Sequence, residues 1–178
     1  MRINSGRFKY RKLEIPESAR PTTEKVREAV FSMLIGKVEG ATVLDLFAGS
    51  GSLGLEALSR GAEFCVFNEG DRKNYKILKN NIANCKAEEI SSTYNNDFRK
   101  ALILANREFD IIFVDPPYRE GYYSEVFELV EEYGLLADGG VIVAEHLNDN
   151  ELSDNMLSFS RTKHKRYGTI GVDFFERA

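Results

Sequence analysis

Thr42-Val43-Leu44-Asp45-Leu46-Phe47-Ala48-Gly49-Ser50-Gly51-Ser52-Leu53-Gly54 reads as a strand, a tight loop and the start of a helix. The apolar run is that of a buried strand, and the glycines allow close backbone approach to a ligand at a helix N-terminus. Working outward, strands are predicted at Ala41–Leu46, Glu63–Asn68, Ile90–Tyr94, Phe109–Val114 and Val141–Glu145. Helices fill the gaps at Leu53–Ser59, Asp71–Asn84, Phe98–Ala105 and Tyr122–Tyr133. Such βα alternation predicts a mostly parallel sheet with helices on both faces. Upstream, Arg20-Pro21-Thr22-Thr23 is a helix-entry signal with Thr22 or Thr23 as N-cap, followed by an apolar stripe of Val26, Ala29, Val30, Met33 and Leu34. Downstream, Ser158–Lys165 and Thr169–Glu176 flank Tyr167-Gly168, the pattern of an antiparallel hairpin added to the sheet edge. No internal repeat or linker interrupts the chain. Residues 1–178 therefore read as a single α/β domain, with a basic extension at 1–22 and a core at 23–178.

At 178 residues, with 43% hydrophobic and 29% charged content, the chain suits one globular domain. No apolar run approaches the roughly 20 residues that span a bilayer. Met1-Arg2-Ile3-Asn4-Ser5-Gly6 lacks the apolar stretch of a secretory signal, and Cys65 and Cys85 form no Cys-x-x-Cys pair. These features predict a reduced, cytoplasmic protein without membrane contact. The net charge of -4 argues against a nucleic-acid binder, but the distribution argues for one. Arg2, Arg7, Lys9, Arg11 and Lys12 occur together with no acid among them. Arg161, Lys163, Lys165 and Arg166 form a second basic run, while Glu120 to Asp154 contains no Lys or Arg. One positive face suited to RNA or DNA is expected.

Gly49, Gly51 and Gly54 match Gly-x-Gly-x-x-Gly, with Glu69 further on, so a dinucleotide site and an NAD-dependent oxidoreductase must be considered. Three features point elsewhere. Asp45, just ahead of the glycines, would repel a pyrophosphate and attract an ammonium or sulfonium. Asp97 follows the third strand, suited to an adenine amino group, with Phe98 to pack on the ring. The fourth strand ends in Asp115-Pro116-Pro117-Tyr118, which has no evident task in hydride transfer. S-adenosyl-L-methionine suits the set better: Glu69 for the ribose hydroxyls, Asp97 and Phe98 for adenine, Asp45 with Phe47, Ala48, Gly49, Ser50 and Gly51 for the methionine end.

The Asp-Pro-Pro-Tyr stretch predicts the other substrate. Two prolines restrict the backbone and remove two amide donors, leaving carbonyls as acceptors. Asp115 adds an acceptor and Tyr118 a stacking face, a combination that would grip and aim a planar exocyclic amine. His146 and His164 have no partner at metal-ligand spacing, so no metal is expected and their roles read as structural or solvated. Tyr122 and Tyr123 lie just past the clamp, where a contact with RNA is one reading, but a helix-core role is the expectation.

The chain resembles the RsmD family of small-subunit ribosomal RNA guanine-N2 methyltransferases. The resemblance rests on Arg2-Ile3-Asn4-Ser5-Gly6 with Arg11-Lys12-Leu13, and on Arg20-Pro21-Thr22-Thr23 through Phe31. It continues in Asp45 to Gly51 with Glu56-Ala57-Leu58-Ser59-Arg60-Gly61-Ala62, and in Asp115 to Tyr118. It implies a class I, Rossmann-like methyltransferase sheet of seven strands, S-adenosyl-L-methionine as donor, and one guanine of 16S rRNA in an assembling small subunit as acceptor. It also implies that Arg20 and Thr22 close over the donor, with Arg20 and the two basic runs (Lys163, Lys165 and Arg166 in the second) touching RNA. A monomer is expected. An N6-adenine enzyme shares the same clamp, a glutamine-modifying protein methyltransferase would be expected to carry Asn at position 115, and a non-catalytic rRNA-binding assembly factor could retain the fold.

Overall fold

The computed structural model describes residues 1–18, 22–117 and 121–178. Helix α1 (Glu24–Met33) starts at Thr23, whose hydroxyl accepts a hydrogen bond from the Val26 N–H at 3.2 Å. Strands and helices then alternate: β1 (Thr42–Asp45), α2 (Ser52–Ser59), β2 (Phe64–Asn68), α3 (Arg72–Asn84), a 3-10 turn (Glu88–Ile90) and β3 (Ser91–Tyr94). They continue as α4 (Phe98–Ala105), β4 (Phe109–Val114), α5 (Tyr122–Glu132) and β5 (Leu136–Leu147). The chain ends with β6 (Asn155–Met156), β7 (Phe159–Tyr167) and β8 (Ile170–Arg177). No helix among the described residues is long and apolar enough to cross a membrane.

All eight strands form one sheet in the order β3-β2-β1-β4-β5-β8-β7-β6. The pairings among β1 to β5 are parallel, and those of β8, β7 and β6 are antiparallel. The predicted layout of parallel half and C-terminal hairpin is present, and the two-residue β6 adds an eighth strand too short to leave a periodic signal. Strand β5 also begins earlier than its apolar run. Leu136 pairs with Phe109 before an irregularity through Asp138-Gly139-Gly140, a stretch whose composition reads as a turn.

Alternate residues of the parallel strands face opposite layers, as the strand period requires. Val43, Phe67, Phe113 and Val143 pack with α1, α2 and α3. Leu44, Val66, Ile112 and Ile142 pack with α4 and α5. Cys65 and Cys85 are buried free thiols.

The N-terminal segment is docked on the first of these layers through Ile3, Phe8 and Leu13, all buried. Gly6 fixes its path: at φ +86° it lies so close to α2 that a Cβ would stand 1.9 Å from the Ser59 carbonyl oxygen. Glu56, fully buried on α2, is the anchor. Its carboxylate accepts from the Asn4 N–H at 2.9 Å and the Ser5 N–H at 3.1 Å, and pairs with Arg27 at 3.2 Å and Arg60 at 2.9 Å. Burial depresses the pKa of Arg27, with Glu56 opposing it. A buried ion pair contributes little over an apolar substitute, but removing one partner strands the other charge. Glu56→Ala is therefore expected to destabilise the protein by about 3–5 kcal/mol in denaturant unfolding. Glu28→Ala, at the exposed end of the same network, should cost at most about 1 kcal/mol.

Candidate active site

A cleft of about 850 Å³ opens at the carboxyl ends of the parallel strands, where an open α/β sheet binds ligands. It is lined by Thr22, Asp45, Phe47, Ala48, Gly49, Ser50, Glu69, Asp97, Phe98, Asp115, Pro116 and Pro117, and so joins nearly all the residues read from the glycine loop and the proline clamp. Gly51 and Gly54 are the exceptions: Gly54 packs against Phe67 and Cys65 beneath the loop, and Gly51 is held in a left-handed turn. It sits at the N-cap of α2 with φ +85°, turned toward Leu78, whose Cδ1 would lie 2.6 Å from an added Cβ. Tyr118 and Arg20 lie outside the described residues.

Asp45 closes β1 and is 2% exposed. Its carboxylate accepts from the Gly54 N–H at 3.0 Å, which ties the strand end to the first turn of α2. Burial pushes its pKa up to about 7, helped by the charge of Glu69 and opposed by the Gly54 N–H. Glu69 spans the next two loops, accepting from the Gly49 N–H at 3.0 Å and the Asp71 N–H at 2.8 Å. Burial raises it as well, against those backbone donors. Of its two neighbours, Asn68 serves the frame: its amide donates to the Asn96 carbonyl at 2.9 Å and accepts from the Asn96 N–H at 3.2 Å, locking the ends of β2 and β3 together. Gly70 lines the cleft directly.

Across the cleft, Asp115 follows β4. Burial raises its pKa well above the carboxylate range, Glu145 and Asp45 add to the rise, and a hydrogen bond from Thr22 opposes it. The Thr22 hydroxyl also lies 2.9 Å from the Glu145 carboxylate, joining two acids on neighbouring strands. Glu145 escapes a reading by motif because it lies within β5 with no local signature. Its place beside Asp115 follows from the β4–β5 pairing, Val114 opposite Ala144.

Asp97 caps α4 by accepting from the Arg99 N–H at 2.9 Å, and its carboxylate also pairs with the Arg99 guanidinium at 3.1 Å. Phe98 stands 5.4 Å from Phe47 and 4.9 Å from Tyr122, making an aromatic wall. Tyr122 was expected in the helix core, but it opens α5 and lines the cleft, whereas Tyr123 is buried. A helical stripe cannot tell the first turn of a helix, which borders the cleft, from its interior.

The family described as "Conserved hypothetical protein 95" matches residues 1–176. The chain is 41% identical to YlbH of Bacillus subtilis over 99% of both chains. It is 37% identical to ribosomal RNA small subunit methyltransferase D of Escherichia coli (strain K12), over 99% of this chain and 90% of that one. The solved structure of Escherichia coli yhhF superposes with a TM-score of 0.90 at 36% identity, covering 99% and 97% of the two chains. The chain belongs to the RsmD methyltransferase family.

In this RsmD-family chain the first basic run and the two lysines of the second lie toward the same layer of helices. The Arg2 and Lys12 backbones bridge to each other, and the Arg11 guanidinium reaches the Asn84 carbonyl at the end of α3. Arg7 stacks on Phe8 and Lys9 on Tyr10. On β7, Lys163 and Lys165 stand opposite Phe174 and Val172, core residues of that layer. Lys163 donates to the Met33 carbonyl at 3.1 Å, and Arg166 is paired with Glu151. Sequence spacing also missed Asn81, a buried residue whose amide donates to the Ser50 carbonyl at 2.8 Å and the Glu14 carbonyl at 2.9 Å. It staples the glycine loop to α3 and to the N-terminal segment. His146 and His164 do find a common partner: both imidazoles and Arg161 converge on buried Asp173, where β5, β8 and β7 lie side by side. Burial opposes the charge on His146, yet Asp173 and the Leu147 carbonyl raise its pKa overall.

The raised carboxylates set the sign of the pH dependence. Asp45 holds its proton in the native state up to about pH 7 but only to about 3.8 when unfolded. Its contribution to stability is therefore complete below the unfolded value and is lost as pH rises through the native one. Asp115 acts in the same direction. The thermal midpoint of the ligand-free protein should fall as pH rises from about 4 to about 7, the window between the unfolded and native values of Asp45. Asp115→Asn should raise the midpoint at pH 8 and flatten that fall, which differential scanning calorimetry measures.

Proposed function

We propose that this chain transfers the methyl group of S-adenosylmethionine to the exocyclic N2 of a guanine in small-subunit rRNA, acting as a monomer on an assembling subunit in the cytoplasm. The observation that carries this reading is the single cleft shared by an acid-lined glycine loop and the Asp115-Pro116-Pro117 segment. The name of the Escherichia coli relative supports ribosomal RNA as the substrate.

The residues present fit this donor. Asp45 supplies negative charge for a cationic methionine end, and Gly49 offers open backbone where an added Cβ would meet nothing within 4 Å. Each oxygen of Glu69 holds one backbone N–H and keeps a lone pair for a ribose hydroxyl. Phe98 and Phe47 offer apolar faces for adenine, beside Asp97. Once bound, S-adenosylmethionine supplies an electrophilic methyl carbon on a positively charged sulfur.

The acceptor chemistry falls to the other wall. A guanine must leave its stack to enter, at a cost of about a few kcal/mol. Stacking on Tyr122 or on Tyr118 would return about 1–3 kcal/mol. The Asp115 carboxylate and the Pro116 carbonyl accept from the two amine hydrogens, which localises the nitrogen lone pair and points it into the cleft. As the nitrogen gains its carbon it must lose a proton, and Asp115, with its raised proton affinity and the Thr22–Glu145 relay behind it, takes that proton. Alignment and fixed charge supply the acceleration, with no covalent intermediate on the protein.

Labelled donor incubated with undermodified small subunits, followed by digestion to nucleosides, is expected to yield N2-methylguanosine. N6-methyladenosine would support the adenine alternative, and absence of label the assembly factor. Asp115→Ala should keep donor affinity and lower transfer by about 10²–10⁴-fold. Equal transfer in mutant and parent would remove Asp115 from the mechanism. Because the cationic donor favours ionised Asp45, its binding should release protons near pH 7 and tighten as pH rises through about 7. Titration calorimetry in two buffers of different ionisation enthalpy checks this.

A further inference from the structure

Helix α3 carries a charge pattern that the donor site does not use. From Arg72 to Ala87 the chain holds five cations and no acid. Arg72, Lys73, Lys76 and Lys79 are all exposed. None of them forms an ion pair among the described residues. The helix begins at the cleft, where Asp71 and Asn74 are lining residues. At 1.5 Å per residue it runs roughly 20 Å from there, about six steps of a stacked nucleic-acid strand.

At its far end lies the turn of the N-terminal segment, tied on by the Arg11 guanidinium at the Asn84 carbonyl. This turn is rigid: Phe8 is buried with its N–H on the Ser59 hydroxyl at 2.9 Å, and the Tyr10 N–H donates to the Ile3 carbonyl at 3.0 Å. Tyr10 itself is held at φ +72°, a left-handed conformation that bulky side chains avoid. The strain brings no burial in return, since Tyr10 is 66% exposed, with the Lys9 ammonium 4.9 Å from its ring centroid. A strained, exposed aromatic ring among cations is the arrangement of a base-stacking platform.

We infer that the exposed face of α3 and the N-terminal turn form a track for the RNA strand that leaves the cleft, with the Tyr10 ring stacking on a base at its far end. The inference rests on the reading of the chain as an RNA methyltransferase and names the surface that holds the substrate beyond the target base. The cations of α3 act on phosphates and carry no sequence preference, while Tyr10 fixes the register of the strand.

The test uses the full chain, the unmodified small-subunit rRNA transcript as probe, and three variants: Tyr10→Gly, Tyr10→Phe and the double variant Lys76→Gln with Lys79→Gln. Glycine adopts φ +72° freely, so Tyr10→Gly should unfold no earlier than the parent while binding RNA about ten-fold more weakly. Tyr10→Phe should bind as the parent does. The double variant should lower the slope of log affinity against log salt by about 1.5, and all three should bind S-adenosylmethionine normally. Parental RNA affinity in Tyr10→Gly, an unchanged salt slope, or a lowered thermal midpoint in Tyr10→Gly would each overturn the inference. So would equal affinity for polyglutamate, which would mark the face as one for acidic proteins. Methyl transfer by the parent is followed in the same reactions. Intact transfer with unaffected variants counts against the track alone, whereas no transfer to any RNA removes the underlying reading and the track with it.

Discussion

Parallel strand register is the constraint on which the molecule depends. Asp45 pairs across to Phe67 on one side and Phe113 on the other, so the chain must leave β1, β2 and β4 at one level and one edge. Right-handed crossovers through the helices return it to the opposite edge each time. The cleft is the space left where these exits diverge, and side chains far apart in sequence meet there because they close adjacent strands. Asn68, bonded to the backbone beyond β3, and Glu69, bonded to the loop beyond β1, keep the exits from drifting.

Within that space the protein holds acids where water is scarce. Asp45 and Asp115 are raised chiefly by burial, and each is raised further by another carboxylate. A group of buried carboxyls weakens an empty fold near neutral pH, and a cationic ligand relieves the repulsion. The apolar layers beneath the cleft supply the stability against which this local cost is set. Glu56 shows the contrasting use of a buried acid: all of its neighbours are donors or cations, and it serves to hold the N-terminal segment in place.

Much of this was legible in the sequence because it is local. The glycine loop, the acids closing β1 and β2, the N-cap Asp97 and the proline pair are each defined within a few residues of a strand end. The register then brings them together with no further information. What sequence did not reveal is mostly non-local. Glu145 reaches Thr22, at the cleft's edge, through strand pairing, Asn81 holds the glycine loop through the packing of α3, and the His146–Asp173–His164 group forms across three adjacent strands. Tyr122 shows a different failure, since its apolar spacing is real but its position at the start of α5 turns it toward the cleft. The early start of β5 was hidden by Gly139 and Gly140, which read as a turn although strand pairing runs past them.

Sheet length carries one more consequence. The outermost strands are β3, with four residues, and β6, with two. Each therefore leaves only a few backbone donors and acceptors on which another molecule's strand could pair, and β7, next to the short edge, is studded with lysines that repel a like neighbour. A wide sheet with such abbreviated borders resists joining edge to edge into larger aggregates.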